Sequence, residues 1–362
     1  MSRSRPNKQA TLIAKEGRVK VVSRPPIHIV LETGSLSGGV RVIGELANRL
    51  ALRHWPVSIW SINQKTTLTK WFPLDPRIEW NCFERTRSEE DYEQLGVVLK
   101  KQPGFKLATY WKTAFPVEYA SAPGEGLYLV QDIEVVYAPG PILQAKVMET
   151  YGLGLRALAT SRWVMSQLKQ ADYIGLGLDS TAFKPQPKIK RADYALACAR
   201  RQYFKGWTQL AEVAQYLAAS SRPLHTYGMD RQLALLAPHV HIPFPSDKVL
   251  HNLYCEAGCF ISTSKHEGFS LTPLEAMACG TPVVMSSADG NLEYAESGVN
   301  CILAETPEAI ASEALEILVR PEKGQALRQA AIETARRYTW PAVLDRLEAA
   351  LLPETAAENA PV

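Results

Sequence analysis

Short apolar runs alternate with longer amphipathic segments from residue 27 to residue 350. The run "IHIVLET" (27–33) predicts a strand, and "GGVRVIGELANRLALR" predicts the helix after it, with Val42, Leu46 and Leu50 on one face. "PVSIWSI", "FKLATYW", "GLYLVQD" and "ALATS" predict further strands, with helices over "DYEQLGVVLKK" and "RWVMSQLKQA" among them. The pattern breaks at 177–192, where Pro185 and Pro187 stand among lysines, and this stretch reads as a linker. Beyond it the alternation restarts with "YALACAR", "WTQLAEVAQYLA", "PLHTYG", "HVHIPF", "KVLHNLYCEAG", "CFISTS", "PLEAMACG", "PVVMSS", "NCILAE" and "PEAIASEALEILV". Near-continuous apolar strands separated by helices indicate parallel sheets covered on both faces. The expectation is α/β: two doubly wound, Rossmann-like domains over 26–176 and 193–336. A basic tail (1–25) precedes them, and a terminal helix (337–352) and a loose tail (353–362) follow.

Composition adds little until charge is located. A hydrophobic content of 46% and a charged content of 21% describe an ordinary globular chain. The net charge is +3, yet residues 1–25 hold seven basic residues (Arg3, Arg5, Lys8, Lys15, Arg18, Lys20, Arg24) against Glu16 alone. The body is therefore mildly acidic, which argues against a nucleic-acid-binding core. The tail lacks the apolar centre of a signal peptide, and no long apolar run occurs. A cytoplasmic protein is expected. The tail reads as a disordered leader, with weak attraction to an anionic membrane surface as the sharper alternative. The six cysteines sit in apolar contexts and suit reduced, buried thiols. His251, Cys255 and Cys259 recur every four residues, but Cys259 opens the strand-like "CFIST", so helical spacing would not reach it. Core packing is preferred to a zinc site, and no metal is expected.

Candidate chemistry concentrates in "STSKHEGFSLTPLEAMACGTPVV" (262–284), where Glu267 and Glu275 stand with seven residues between them. Ligands of parallel sheets bind beyond strand carboxyl ends, where the loop "SKHEGF" falls. A helix is expected to begin at Thr272 with Pro273 at its first position. Free N–H groups around Ser270, Leu271 and Thr272 would attract phosphate. Thr272 and Glu275 also have capping-box spacing, which would give Glu275 a purely structural role. Glu267, between His266 and Gly268, has no such explanation.

The run "EGFSLTPLEAMACGTPVVMSSADGNLEY" closely resembles the donor-site signature of the retaining glycosyltransferases of family 4, also called group 1. The resemblance implies the GT-B fold, a first domain for the acceptor, a second for a nucleotide-diphosphate sugar, and a last helix crossing back, with Trp340 as an anchor. It implies that Glu275 accepts from the ribose hydroxyls and Glu267 meets the transferred sugar. Gly268, Phe269 and Ser270 would lie nearby, and Leu271 and Thr272 would meet the diphosphate. "ACARRQYFKGWTQL" resembles the family's cationic segment, so Arg200 and Lys205 would face the phosphates, Arg200 preferred over Arg201 by spacing. Gly38 and Gly39 of "GSLSGG" resemble the family's Gly-Gly approach to the donor.

Some features depart from the family. "LYLVQDIE" ends in Gln131 and Asp132 where many members carry a histidine, and "QD" resembles a subset like bacterial rhamnosyltransferases; Asp132 is the candidate for orienting sugar or acceptor. Leu176 replaces the usual asparagine of an interdomain segment. The chain has no Asp-x-Asp pair, so cations and helix N–H groups would take the diphosphate without a metal, and no cofactor is expected. A bacterial surface polysaccharide or glycolipid would be the acceptor's setting. The rival readings are a non-catalytic nucleotide-sugar-binding protein and a dinucleotide-dependent enzyme, the latter disfavoured by the spacing of "GSLSGG".

Overall fold

A computed structural model describes residues 24–62, 68–83, 88–229, 237 and 239–352. Most of the basic tail, and all of the final tail, lie outside the described residues. The first half builds a seven-stranded parallel sheet from β1 (Ile27–Leu31), β2 (Val57–Ser61), β3 (Glu79–Cys82), β4 (Phe105–Ala108), β5 (Gly126–Val130), β6 (Arg156–Ala159) and β7 (Asp172–Tyr173), in the order β3-β2-β1-β4-β5-β6-β7. Helices α1 (Gly38–Leu52), α2 (Glu89–Leu99), α3 (Trp111–Ala120), α4 (Pro141–Thr150) and α5 (Arg162–Ser166) connect them. Every residue of β1, β2 and β5 is buried, as strands covered on both faces must be.

The second half builds a six-stranded parallel sheet, ordered β10-β9-β8-β11-β12-β13. Its strands are β8 (Ala195–Cys198), β9 (Leu224–Gly228), β10 (His239–Pro243), β11 (Cys259–Ser262), β12 (Val283–Met285) and β13 (Ile302–Leu303). Its helices are α6 (Trp207–Ala219), α7 (Asp247–Glu256), α8 (Leu271–Ala278), α9 (Pro307–Val319) and α10 (Pro321–Arg336). Chain order reverses between β1 and β4 in one sheet and between β8 and β11 in the other. Each reversal splays two connections apart and leaves a crevice beyond the strand ends.

The expected strand over "FKLATYW" stops at Ala108, because Thr113 Oγ1 captures the N–H groups of Thr109 and Tyr110 and starts α3. The edge strands β3 and β7 carry no long apolar run and were not expected. Among the described residues no helix is long and apolar enough to cross a membrane.

The last helix, α11 (Trp340–Leu351), packs on α1 of the first domain. It buries Trp340, Val343, Leu344 and Leu347, and Arg49 of α1 lies over the Trp340 ring at 4.8 Å. Gly177 touches that ring so closely that a Cβ there would sit 2.6 Å from it. Glu348 finishes the seam, accepting from Trp55 Nε1 (2.7 Å), Arg53 (3.1 Å) and Arg24. Burial alone would raise the Glu348 pKa; the hydrogen bonds from Trp55 and Arg24 outweigh it and hold it below the ordinary 4.5. A depressed carboxyl stabilises the fold above its unfolded pKa and loses that contribution as pH falls through the folded value. Glu348→Gln should therefore cost on the order of 1 kcal/mol near neutral pH, with the gap to wild type closing under acid. Denaturant unfolding of both proteins across that range measures it.

Candidate active site

The two switch points face each other across a cleft holding a cavity of about 550 Å³. Glu32, Gly38, Gly39, Gln131 and Asp132 line it from the first domain, and Arg200, Lys205 and residues 267–272 from the second. Arg201, exposed, is not on this wall, so the spacing argument for Arg200 agrees with the geometry. Leu176 is buried against the cavity and offers it an apolar side chain.

Glu267 is buried just past β11, and both its oxygens are occupied. Lys205 Nζ donates to Oε2 at 2.8 Å, and Ser264 Oγ donates to Oε1 at 2.7 Å. This pairing follows from backbone zippering. The N–H groups of Lys265 and His266 donate to Phe204 O at 2.8 and 3.2 Å, and Thr263 Oγ1 donates to Gly206 O at 3.0 Å. Gly206 makes the approach possible: its φ is +66°, and a Cβ would lie 1.6 Å from Thr263 O. Because β8 and β11 are parallel neighbours, Lys205 beyond one strand and Glu267 beyond the other meet at the same end.

Helix α8 starts at Leu271 with Ser270 as N-cap, one residue before the expected Thr272, so Pro273 is the third helical residue rather than the first. The capping box between Thr272 and Glu275 does not form. Glu275 instead accepts from Tyr254 Oη at 2.9 Å, and Tyr254 shares a 2.5 Å hydrogen bond with Tyr227. A tyrosine from α7 has taken the place of the cap, and the sequence pattern held no sign of it. Burial pushes the Glu275 pKa up to about 7, with Arg41 and the Tyr254 hydroxyl opposing. Arg41 belongs to α1 of the first domain and makes a paired hydrogen bond to Asp247 of the second, at 2.7 and 2.8 Å.

The N-terminus of α1 brings Gly38 and Gly39 to the cleft, with Ser37 Oγ accepting from Val40 N at 3.2 Å. Gly38 has open space before it, whereas Gly39 abuts the Gln131 side chain. Asp132 stands at the end of β5 and is engaged on both oxygens. Oδ1 accepts from Ile133 N and pairs with His266 Nε2, each at 2.8 Å, and Oδ2 accepts from the Tyr137 hydroxyl. Gly268 lies directly on this strand end; a Cβ would fall 2.3 Å from Gln131 O. Beside it Glu134 is buried, accepting from Trp111 N (2.7 Å) and Tyr128 Oη (2.8 Å), and burial pushes its pKa to about 8. His266, Tyr137, Ser264, Tyr254, Arg41 and Glu134 were not singled out by sequence; only His266, adjoining Glu267, carried a positional signal.

The thiol cluster differs from the spacing-based candidate. Cys259 opens β11 and lies apart, while Cys279, at the end of α8, joins His251 and Cys255 of α7. Their ligand atoms lie within 4.8 Å of one another, and the His251 ring is also bonded to Lys184 O (2.7 Å) and Gln186 (3.2 Å).

Residues 180–337 match the family described as "Glycosyl transferases group 1". The matched stretch is the second domain, less than half of the chain. Over 269 residues, 68% of its length, the chain is 26% identical to the O-antigen biosynthesis protein RfbC of Myxococcus xanthus, of which it spans 20%. Further curated relatives, D-inositol 3-phosphate glycosyltransferases, are spanned over 22% to 25% of their length. Among solved structures, sucrose-phosphate synthase from Thermosynechococcus elongatus superposes with a TM-score of 0.75 at 17% identity, covering 93% of this chain and 100% of that one. Anabaena HepE in complex with UDP and glucose gives 0.71 at 16% identity, covering 91% and 99%. These likenesses establish the GT-B fold: two facing α/β domains with a cleft between them.

A carboxyl whose pKa is raised in the fold favours the folded state below its unfolded pKa, and that contribution is lost as pH rises through the folded value. Glu275→Gln should thus match wild type in thermal stability near pH 4.5 and gain on it as pH rises through about 7. A gap that does not change with pH would show that the acid is not strained by burial.

Proposed function

We propose that the protein is a retaining glycosyltransferase that moves a sugar from a nucleoside-diphosphate sugar to a saccharide or glycolipid acceptor, in bacterial surface polysaccharide assembly. The observation that carries this reading is the cleft-facing Glu267, fixed by Lys205 and Ser264 beside Arg200 and the start of α8. In this reading the diphosphate sits at the N–H groups of Leu271 and Thr272 with Arg200 and Lys205, the nucleotide's ribose at Glu275, and the sugar at Glu267, flanked by Gly268, Phe269 and Ser270. Gly38 and Gly39 approach the phosphates from α1, and Asp132 lines the acceptor wall.

Departure of the nucleoside diphosphate concentrates negative charge on the phosphate, and fixed cations with preorganised N–H groups lower that barrier. Glu267 accepts hydrogen bonds from sugar hydroxyls and fixes the anomeric carbon toward the acceptor. The acceptor hydroxyl attacks on the face the phosphate leaves, its proton passes to the departing phosphate oxygen, and the configuration is retained. The charge is met without a divalent metal. The relation to an O-antigen biosynthesis protein supports the polysaccharide setting. Work at the cytoplasmic membrane face, aided by the basic tail, fits a lipid-linked acceptor.

Incubation with UDP-, GDP- and dTDP-sugars, reading released nucleoside diphosphate, should identify one active donor class. Glu267→Gln and Arg200→Ala should each lower turnover on the order of 10²–10³-fold, and EDTA should leave it unchanged. Binding of a donor with neither transfer nor hydrolysis would favour the alternative, a non-catalytic nucleotide-sugar-binding protein. Full activity in both variants would remove Glu267 and Arg200 from the mechanism.

A further inference from the structure

We propose that His266 is a positioning residue, the bolt of an interdomain clasp that closes the cleft over Glu267 by pairing with Asp132. The ring belongs to the second domain, yet most of what surrounds it belongs to the first. Its Nε2 pairs with Asp132 Oδ1 at 2.8 Å. Its ring packs edge-to-face with Trp163 of α5 (5.1 Å between centroids) and with Tyr137 (6.1 Å). Tyr137 in turn donates to the second oxygen of Asp132 and packs on Phe204 of the second domain at 4.7 Å. The other ring nitrogen lies 3.8 Å from Asp289 Oδ2, so carboxylates from the two domains flank one imidazole.

Asp132 therefore has no idle oxygen, since Ile133 N–H and Tyr137 hold what His266 does not. Three donors already fix this carboxylate, which argues that Asp132 acts through His266 rather than by touching sugar. The next two residues of the chain explain what the clasp positions. Glu267 follows directly, and Gly268 has no room for a Cβ against Gln131 O and the Asp132 backbone. Registration of the two domains at Asp132–His266 thus sets where Glu267 stands relative to the acceptor wall.

The groups facing the ring make the clasp responsive to pH. Asp132 and Tyr137 face it from the segment after β5, Asp289 from the loop after β12, and Glu267 from its own loop; neighbouring Lys265 is exposed over the Tyr203 ring. Burial alone would lower the His266 pKa, but the Asp132 hydrogen bond and the charges of Asp132, Asp289 and Glu267 prevail and raise it above 6.5. A raised histidine pKa means the clasp is intact below 6.5 and weakens as pH rises through the folded value.

Two readouts test the clasp, and only the second rests on the glycosyltransferase reading. In solution scattering of the full chain, His266→Ala and Asp132→Ala should each enlarge the radius of gyration, the double variant no more than either single. Wild type should show the same enlargement at alkaline pH, while His266→Gln, which keeps a donor near Nε2, should lose this pH response. In donor turnover, each single alanine variant should lower kcat on the order of 10- to 100-fold with little change in donor KM. The double variant should be no worse, and His266→Gln should recover part of the loss. Unchanged scattering in His266→Ala, or losses that multiply in the double variant, would overturn the clasp. Enlarged scattering in a protein that turns over no nucleotide sugar would leave the clasp standing and remove the proposed activity instead.

Discussion

The cleft depends on one ion pair. Glu267 is a carboxylate under cover, and an unpaired charge there would cost several kcal/mol. Lys205 and Ser264 meet its two oxygens at hydrogen-bond distance. For Lys205 to do so, β8 and β11 must be neighbours, their following loops must zip backbone to backbone, and the chain must turn at a residue that tolerates positive φ against Thr263 O. Strand order, loop course and the identity of Gly206 are thus all constrained by where one acid sits. The same chain segment then carries His266 and Gly268 onto the first domain and Ser270 to the cap of α8.

A second constraint runs through two more acids, Glu134 buried and Glu275 half-buried. Glu275 and Glu134 are each held where burial opposes their charge, and each is supplied with hydroxyl or N–H donors from another element. Glu134 uses its donors to fix the start of α3, a structural task. Glu275 caps no helix and instead receives the Tyr254 hydroxyl. We propose that an acid kept at a cost to stability, and not needed as a helix cap, serves a ligand. This separates the two carboxyls more clearly than their environments alone.

Sequence made strands β1, β2, β4, β5 and β6 and the alternation of β8 through α9 legible, because buried parallel strands need unbroken apolar runs and their helices keep a regular stripe. It also marked Glu267, which stands just beyond an apolar strand, while Arg200 and Lys205 were marked by resemblance to a family's cationic segment. What was hidden shares a physical cause. Tyr254 and Arg41 come to Glu275, and Tyr137 to Asp132, from separate elements, so no local spacing announces them, and His266, though next to Glu267, finds its partner Asp132 only in the other domain. Edge strands β3 and β7 are short and only half covered, leaving no apolar run to read. The capping-box spacing at Thr272 was a true local pattern that a tertiary partner overrode. Cys279 for Cys259 in the thiol cluster is the same lesson, because the end of α7 broke the four-residue period before it reached β11.

In the proposed function, the second domain's face of the cleft takes a nucleoside diphosphate at α8. Titration calorimetry of the full chain with UDP, GDP and dTDP, beside NAD, measures this without knowledge of sugar or acceptor. One nucleoside diphosphate should bind, Glu275→Ala should weaken it at least tenfold, about 1.4 kcal/mol, and NAD should not bind. Binding of NAD with no response to any nucleoside diphosphate, or diphosphate binding untouched by Glu275→Ala, would contradict it.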